Sequence, residues 1–372
     1  MRENRTVTMP QPFPYEIAGV ATETGRVIPI EEWADLARLP HRKRPEHLSG
    51  QDLRRIFNVT AKSHDPELFR DFDTIVRTAR RALDASRIRP QDLDCLFLAT
   101  ASPYEGLLDQ DAFNLARLIG LDDGVVPIQA GAGCAGVARA ASHIARANYR
   151  NALVVTYFLP SQAMFDENGE LYPVYRTAPD APMLTWASPA TFSDAAAALV
   201  FTRGDDAGDA VLYSRDAQSF DGGPGLTHPI VRYVEGGAGG TSPSDVAGRP
   251  RYSISPPHIR HFYPTAMRIN DAQLREATTH YPDKVARIYT HQGSPTMVQD
   301  LIEELGLPRE KIPSNAAALG NTVSASTVLM LHDDLRAGTL GGGDRVCFSV
   351  VGSGPERGAL TVPLAATCEA AA

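Results

Sequence analysis

The chain of 372 residues contains an internal repeat, and the repeat constrains its fold more than any other feature. The first copy runs from the apolar segment 93–100 (LDCLFLAT) to the apolar segment 151–158 (NALVVTYF). The second copy runs from 285–292 (VARIYTHQ) to 344–352 (DRVCFSVVG). Between these ends, each copy holds a helix-like segment, a short strand or loop, a turn and a long helix, in the same order. The repeat therefore predicts two α/β units of similar topology.

The apolar segments of both copies lack the alternation of a half-exposed strand. CLFLA (95–99), ALVVTY (152–157) and VCFSVV (346–351) are nearly continuous, as is typical of strands that are covered by helices on both faces. We therefore expect an α/β fold. Residues 14–204 form its N-terminal half and residues 205–372 its C-terminal half, and the two halves make one compact catalytic unit.

The turn of the first copy carries a cysteine in the segment GAGCAG, residues 131–136, directly before a helix-forming run. Glycine lets the backbone turn sharply and approach a neighbour closely. A helix N-terminus favours a thiolate and can receive an oxyanion. The pattern predicts that Cys134 is a nucleophile with a lowered pKa. A small, buried, apolar cysteine is the alternative that the local pattern leaves open.

The spacing of the repeat assigns a partner to this cysteine. Leu121 precedes Cys134 by 13 positions, and Leu307 precedes Asn321 by 14 positions. Asn321 is thus predicted to hold, within one residue, the place of Cys134 in the second copy. Two units related by a pseudo-dyad bring their helix N-termini face to face. Cys134, Asn321 and the loop that carries His291 can then share one pocket.

A thiol, an imidazole and a carboxamide on converging loops suit acyl transfer. The cysteine attacks a thioester carbonyl and holds the acyl group, while its backbone N–H and a second N–H bind the oxyanion. The histidine and the asparagine can donate to a second thioester oxygen and stabilise an enolate as carbon dioxide leaves. A papain-like protease also uses these residue types, but neither its cysteine context nor this duplicated architecture agrees.

Composition excludes several other classes of function. The net charge of −8 gives no basis for a nucleic-acid surface, and no apolar run has the length of a membrane span. Residues 1–13 lack the apolar core of a signal peptide. The four cysteines form no C-x-x-C pair and no metal-ligand spacing. We expect a reduced cytoplasmic protein without a metal, a cofactor, a nucleic-acid partner or a membrane partner.

Four motifs, in a fixed order, resemble those of one enzyme family: AGAGCAGVA around the cysteine, THQGS, ALGNTVSAS and VVGSGPERGALTV. From about residue 14 to residue 364, the chain resembles β-ketoacyl-acyl-carrier-protein synthase III and its relatives in the thiolase superfamily. The resemblance implies the duplicated, five-layer αβαβα thiolase fold, a homodimer, and an acyl thioester of acyl carrier protein or coenzyme A as substrate. It also implies that Cys134, His291 and Asn321 are catalytic and that Gly354 completes the oxyanion hole with Cys134.

The chain departs from the family in three stretches. HQGSPTM replaces a motif that continues to a carrier-binding arginine, whose place falls near Thr296. FSDAAAA (192–198) replaces a glycine-rich motif, and residues 49–59 lack the tryptophan that stacks on coenzyme A. These changes indicate a specialised relative, of the kind found in secondary-metabolite pathways. Glu105 and His261 are further candidates for the pocket, with a solvated loop and a surface position as their respective alternatives.

Two enzymatic hypotheses begin with an acyl group on Cys134. In the first, His291 and Asn321 promote decarboxylative condensation with a malonyl thioester. In the second, His291 acts as general base for a hydroxyl or amine acceptor. Asn321 favours the first, because a carboxamide donates to an enolate oxygen but cannot orient a histidine as an anion does. The altered carrier-binding region favours the second. A third hypothesis is a catalytically inactive partner subunit. The presence of Cys134, His291 and Asn321 argues against it.

Overall fold

A computed structural model describes residues 9–41, 45–105, 108–176, 186–204, 208–214, 231–234, 251–254, 256–352 and 356–371. The strands in this part of the chain are β1 (Gln11–Pro12), β2 (Tyr15–Thr24), β3 (Val27–Pro29), β4 (Ala61–Ser63), β5 (Cys95–Thr100), β6 (Ile128–Gly131), β7 (Asn151–Phe158), β8 (Ala195–Arg203), β9 (Ala210–Ser214), β10 (Val231–Val234), β11 (Arg251–Ile254), β12 (Arg287–Thr290), β13 (Arg345–Gly352) and β14 (Glu356–Ala370).

The α-helices of the same residues alternate with these strands. They are α1 (Ile30–Ala37), α2 (Gly50–Phe57), α3 (Asp73–Ser86), α4 (Gln110–Ile119), α5 (Gly136–Ala147), α6 (Pro160–Ala163), α7 (Pro173–Arg176), α8 (Ala187–Thr191), α9 (Pro256–Ala277), α10 (Pro295–Leu305), α11 (Ala316–Leu319) and α12 (Ala325–Arg336). None of the helices in these ranges has the length and apolarity that a bilayer crossing requires.

Ten strands join in one curled sheet through the long strand β14. The sheet runs in the order β1–β9–β14–β2–β8–β7–β5–β6, and β14 also pairs with β13, which pairs with β12. Residues 357–360 of β14 pair with β9, whereas residues 364–370 pair with β2. The strand thus passes from the sheet of one half into the sheet of the other.

Helices α5 and α12 lie between the two parts of the sheet. Each contacts strands of both parts: α5 packs on β5 and β9, and α12 packs on β8 and β12. Small buried side chains on α5, such as Ala138 and Ala141, let both faces of the helix approach a sheet closely. Helix α3 covers β2 and β8 from outside, and α9 covers β13 and β14. The layers are α, β, α, β and α, as the family resemblance implies.

The two copies of the repeat fold alike. The first is β5–α4–β6–α5–β7, and the second is β12–α10–loop–α12–β13. The prediction of two α/β units with nearly continuous, buried strands is therefore confirmed. The copies differ at residues 311–315, which form no strand, whereas the corresponding β6 is an edge strand. Both copies place the turn before their long helix at the centre of the molecule.

Candidate active site

The turns that precede α5 and α12 are in direct contact. The backbone N–H of Gly136 donates to Ser324 Oγ at 3.1 Å, and the Ser324 hydroxyl donates to the Gly133 carbonyl. A Cβ on Gly136 would lie 2.5 Å from Ser324 Oγ, so this position requires glycine. The helix N-termini therefore face one another, as the repeat predicts. The glycine serves the contact between the two turns.

Cys134 and Asn321 meet across this contact. The Cys134 side chain is 9% exposed, and the Asn321 side chain forms a hydrogen bond with its sulfur. Asn321 Oδ1 accepts from the backbone N–H of Val323 at 2.8 Å, which leaves the amide NH₂ as the group that faces the sulfur. The amide is therefore oriented as a donor toward the thiol.

The equivalence of these two residues is looser than the spacing predicts. Cys134 stands two residues before α5, whereas Asn321 stands four residues before α12. Val323 holds the matching position, with a φ of +57°, and Gly320 has a φ of +75°. Two left-handed residues give the second turn an additional bend, so that the Asn321 amide reaches the sulfur from the side.

The prediction of a lowered thiol pKa is wrong for this structure. Burial raises the pKa of Cys134 to about 12, and the buried Glu356 carboxylate adds to the shift. The hydrogen bond from Asn321 opposes the shift but is the smaller effect. Loss of water around the sulfur is the dominant cause of the shift. A pKa of about 12 keeps the Cys134 thiol neutral at ordinary pH.

His291 follows β12, and its ring packs on that of Tyr263. Its side chain is 1% exposed, and its backbone N–H donates to the Ser349 carbonyl at 3.0 Å. Neither ring nitrogen has a hydrogen-bond partner within the described residues. Burial lowers the pKa of His291 to about 3, so the imidazole is neutral at ordinary pH and offers one N–H donor.

One family departure has a structural consequence at this histidine. The sequence HQGS places Gly293 two residues after His291. A Cβ on Gly293 would lie 2.6 Å from His291 Nε2 and 2.9 Å from Met297 Sδ. The imidazole therefore occupies space that an alanine methyl group would need. Gly293 therefore leaves the space that the His291 ring occupies.

Sequence reasoning missed a tyrosine beside the site. Tyr263 of α9 packs edge to face on His291, with ring centroids 4.6 Å apart. Its phenol interacts electrostatically with Cys134, and burial raises its pKa well above the usual value. The phenol is thus a neutral hydroxyl near both residues. The segment HFYP contains it, but the sequence pattern directs attention to the neighbouring His261.

A buried carboxylate was also missed. Glu356 begins β14, is almost fully buried and interacts electrostatically with both Cys134 and Tyr263. It accepts a hydrogen bond of 2.5 Å from the Tyr213 hydroxyl, and Arg139 of α5 lies 3.8 Å away. An acidic residue in the motif GSGPERG is the only sequence signal for it.

The other candidates from the sequence, Glu105, Gly354 and His261, have no observed contact with Cys134 among the described residues. Glu105 is exposed, and its backbone N–H donates to Asp111 Oδ1 at 3.2 Å. Gly354 lies outside the described residues, as does the side chain of His261, whose backbone belongs to α9. The structure thus brings together Cys134, Asn321 and, through Tyr263, His291.

Cys134 belongs to an apolar cluster of buried residues, which forms an apolar wall beside the sulfur. Its residues come in equal number from positions 28–59 and from the segment between β7 and β8, which carries α6, α7 and α8. The cluster that contains Cys134 includes Phe158, Met164, Phe165, Leu171, Val174, Tyr175, Trp186, Phe192 and Val323. Trp33 belongs to the same cluster and is fully buried, so it packs in the core. Such surroundings suit an acyl chain on the sulfur.

Comparisons with known proteins agree with this description. The family model described as the C-terminal part of 3-oxoacyl-[acyl-carrier-protein] synthase III matches residues 276–364. The β-ketoacyl-[acyl-carrier-protein] synthase III of Aquifex aeolicus is 25% identical over 294 residues, which cover 76% of this chain and 81% of the relative.

Solved structures show the same fold. The crystal structure of 3-oxoacyl-[acyl-carrier-protein] synthase III from Aquifex aeolicus superposes with a TM-score of 0.71 at 20% identity, covering 94% of this chain and 99% of the other. A tetronic acid condensing enzyme, AbyA1, gives a TM-score of 0.71 at 21% identity, covering 93% and 99%. The matches in sequence and in fold thus make the chain similar to 3-oxoacyl-[acyl-carrier-protein] synthase III.

Proposed function

We propose that this protein is a ketosynthase III-type acyltransferase. Cys134 takes an acyl group from a thioester of acyl carrier protein or coenzyme A, and the acyl-enzyme then condenses with a malonyl thioester. Two reported relatives support this class of reaction by name, as a synthase of β-ketoacyl carrier proteins and as a condensing enzyme.

The observations that carry the proposal are the hydrogen bond between Asn321 and the Cys134 sulfur and the neutral His291 ring, which packs on Tyr263. The Asn321 NH₂ group faces the sulfur, and the buried His291 ring has both nitrogens unpartnered among the described residues. An enolate oxygen that forms there would receive two donors held in place before the reaction, each typically worth about 10²–10³ in rate. Such donors stabilise charge without exchanging a proton.

The two half-reactions then balance without any further reactant. The Cys134 sulfur loses its proton as it attacks the thioester carbonyl, and the carrier thiol departs with a proton. The malonyl thioester next loses carbon dioxide, and its enolate attacks acyl-Cys134 to form a new carbon–carbon bond. The thiolate that departs takes up a proton. We propose that the N–H groups of Cys134 and Gly354 bind the oxyanion in both steps.

Acyl transfer to a hydroxyl or an amine of a natural-product intermediate is the second candidate. The replaced arginine near Thr296 favours it, because the pocket for a second carrier arm is changed. The state of His291 weighs against it. A histidine with a pKa of about 3 is a weak general base at neutral pH.

A malonyl thioester labelled at its free carboxyl group separates the two candidates. Purified protein is incubated with a series of acyl thioesters, and labelled carbon dioxide and products are measured. The condensing reaction releases one carbon dioxide per product, and Cys134→Ala releases none. Product formed from a hydroxyl or amine acceptor without labelled carbon dioxide would contradict the condensing assignment.

The assembly is a further part of the proposal. We propose a homodimer in which the edge strand β6 meets its copy, and in which residues 14–204 and 205–372 of each chain act as one catalytic unit in the cytoplasm. Val126, two residues before β6, is 72% exposed, and Leu108, two residues before α4, is 80% exposed. Light scattering of the wild type and of Val126→Asp tests the dimer. A wild-type monomer would contradict it.

A further inference from the structure

A buried lysine contacts the segment that is hydrogen-bonded to the backbone of Asn321. Lys62 of β4 is 1% exposed, and its ammonium group is 4.7 Å from the centroid of the Trp33 ring. It donates three hydrogen bonds, to the carbonyl oxygens of Pro189 (2.9 Å), Ala190 (2.9 Å) and Phe192 (2.6 Å). All three acceptors belong to the end of α8 and the residue that follows it.

The same short segment binds the backbone of Asn321 with its other groups. The Asn321 N–H donates to the Thr191 carbonyl at 3.0 Å, and the Ser193 N–H donates to the Asn321 carbonyl at 3.0 Å. Carbonyls 189, 190 and 192 therefore point to Lys62, while groups of residues 191 and 193 point to Asn321. The segment lies between the lysine and the catalytic asparagine.

Strand β4 also contacts the Asn321 turn directly. The backbone N–H and the hydroxyl of Thr60, next to β4, both donate to the Ala317 carbonyl, at 2.7 and 2.9 Å. Ala317 lies in α11, four residues before Asn321. The turn is thus bound on two sides by the chain around Lys62, once directly and once through residues 189–193.

The ammonium group of Lys62 interacts with one carboxylate among the described residues. Asp194 is the carboxylate that interacts with it, and this carboxylate accepts N–H groups from Ser161 (2.9 Å) and Asp65 (2.8 Å). The neighbouring His64 is buried with its pKa lowered to about 4, so it is neutral at pH 7. Burial lowers the pKa of Lys62 itself to about 7. A buried cation is costly, and core packing alone does not require one.

We propose that Lys62 is a positioning residue, which fixes residues 189–193 and through them holds the Asn321 amide against the Cys134 sulfur. This inference rests on the proposed function, in which Asn321 is a donor to the sulfur and to the enolate. The three carbonyls need a donor that reaches all of them, and a lysine supplies three N–H groups from one atom.

The test compares Lys62→Met, Lys62→Gln and Asn321→Ala, with Thr60→Val as a control that removes one hydroxyl from the other side of the turn. We expect Lys62→Met to leave acylation of Cys134 within about threefold and to slow carbon dioxide release by roughly 10–100-fold, up to the loss of one preorganised donor. Lys62→Gln keeps two neutral N–H donors and should recover part of this loss, and Thr60→Val should stay within about threefold.

Two results are decisive. The double variant Lys62→Met/Asn321→Ala should be no slower than Asn321→Ala alone, because both substitutions remove the same interaction. Additive losses in a folded Lys62→Met protein, or equal losses in both half-reactions, would overturn the proposal. If Lys62→Met does not fold, the same single and double variants are made with Lys62→Gln. A rate of carbon dioxide release in Lys62→Gln equal to that of the wild type would then overturn the proposal.

A readout that does not depend on the reaction separates this proposal from the proposed function. The rate of Cys134 alkylation by iodoacetamide is followed against pH. Lys62→Met should shift the profile to higher pH, in the same direction as Asn321→Ala, since both weaken the donor to the thiolate. A shift in a protein that consumes no malonyl thioester would support the positioning role and reject the condensing function. No shift in Lys62→Met, with a shift in Asn321→Ala, rejects the positioning role.

Discussion

The two turns at the centre of the molecule occupy matching places in the repeat but differ in polarity. The turn before α5 consists of glycines and alanines around one sulfur, with no hydrogen-bonding side chain of its own. The turn before α12 is polar and internally bonded. Thr322 N–H and Ser326 Oγ are 3.1 Å apart, their hydroxyls are 2.7 Å apart, and Asn315 Nδ2 donates to the Ser326 carbonyl at 3.2 Å.

This difference separates two tasks. A reactive side chain needs space for the substrate, so small neighbours surround Cys134. A donor that stabilises a transition state must be immobile before the reaction, so several hydrogen bonds hold the turn of Asn321. The duplicated fold provides two matching helix N-termini, one with small residues around a thiol and the other with hydrogen bonds between its own residues; the proposed function makes the first reactive and the second a fixed donor.

Removing the sulfur should have the largest effect. Cys134→Ala is expected to abolish acylation and to reduce turnover by roughly 10³-fold or more, because no other group can hold the acyl chain. Intact-protein mass spectrometry after incubation with acyl thioesters measures the adduct. Cys347→Ala is the control, since its sulfur is buried in β13, and it should still acylate. A stable adduct on another residue of an active Cys134→Ala protein would sink the assignment.

Removing the donor of the second turn should affect mainly one half-reaction. Asn321→Ala is expected to slow acylation only a few-fold, through the weaker donor to the thiolate, but to release carbon dioxide about 10²-fold more slowly. Asn315→Ala is a matched control, because it removes an amide from the same turn that bonds to Ser326 and does not face the sulfur. If Asn315→Ala were as slow as Asn321→Ala, the effect would belong to the rigidity of the turn.

The contact between the turns can be tested by stability. Gly136→Ala brings a methyl group 2.5 Å from Ser324 Oγ and should cost about 1–3 kcal/mol of unfolding free energy, as overpacking does. Ser324→Gly in the same chain removes the colliding atoms and should recover part of that loss. Urea unfolding of the two single variants and the double variant measures the coupling. Strictly additive costs would show that the turns do not share this contact.

The smallest expected effect concerns Glu356, the buried carboxylate that interacts with Cys134. Glu356 raises the pKa of the Cys134 thiol, so Glu356→Gln should lower that pKa and leave more thiolate at any pH below it. Alkylation of Cys134 at pH 8 should then be a few-fold faster. Glu105→Gln, on an exposed loop, should leave the rate within about twofold. A slower reaction in Glu356→Gln would contradict the electrostatic account.

The sequence alone predicts much of the fold, because the order of apolar segments and helices is a local property that recurs in both copies. It also predicts which residues meet, since a pseudo-dyad brings equivalent turns together. It does not predict the environment of Cys134. The apolar cluster that contains Cys134 combines residues 28–59, residues 158–192 and Val323, and burial among them reverses the expected shift in the thiol pKa.

Tyr263 and Glu356 show a second limit. Each approaches Cys134 from a distant element, α9 and β14, and neither stands at a repeat position. Residues outside the repeat carry no spacing signal, so only the tertiary arrangement reveals them. Lys62 is hidden for the same reason, because its acceptors lie 127 to 130 positions away.

The long strand β14 bears on how the chain is synthesised. It supplies one neighbour to β2 near the beginning of the chain and other pairings to β9 and β13. As the chain leaves the ribosome, β2 has β8 on one side and an unpaired edge on the other until residues 364–370 emerge. An unpaired edge invites contact with other chains. The N-terminal half of the nascent chain therefore keeps β2 as an unpaired sheet edge until β14 is synthesised. Pairing of β14 with β2, β9 and β13 then joins the strands of both halves.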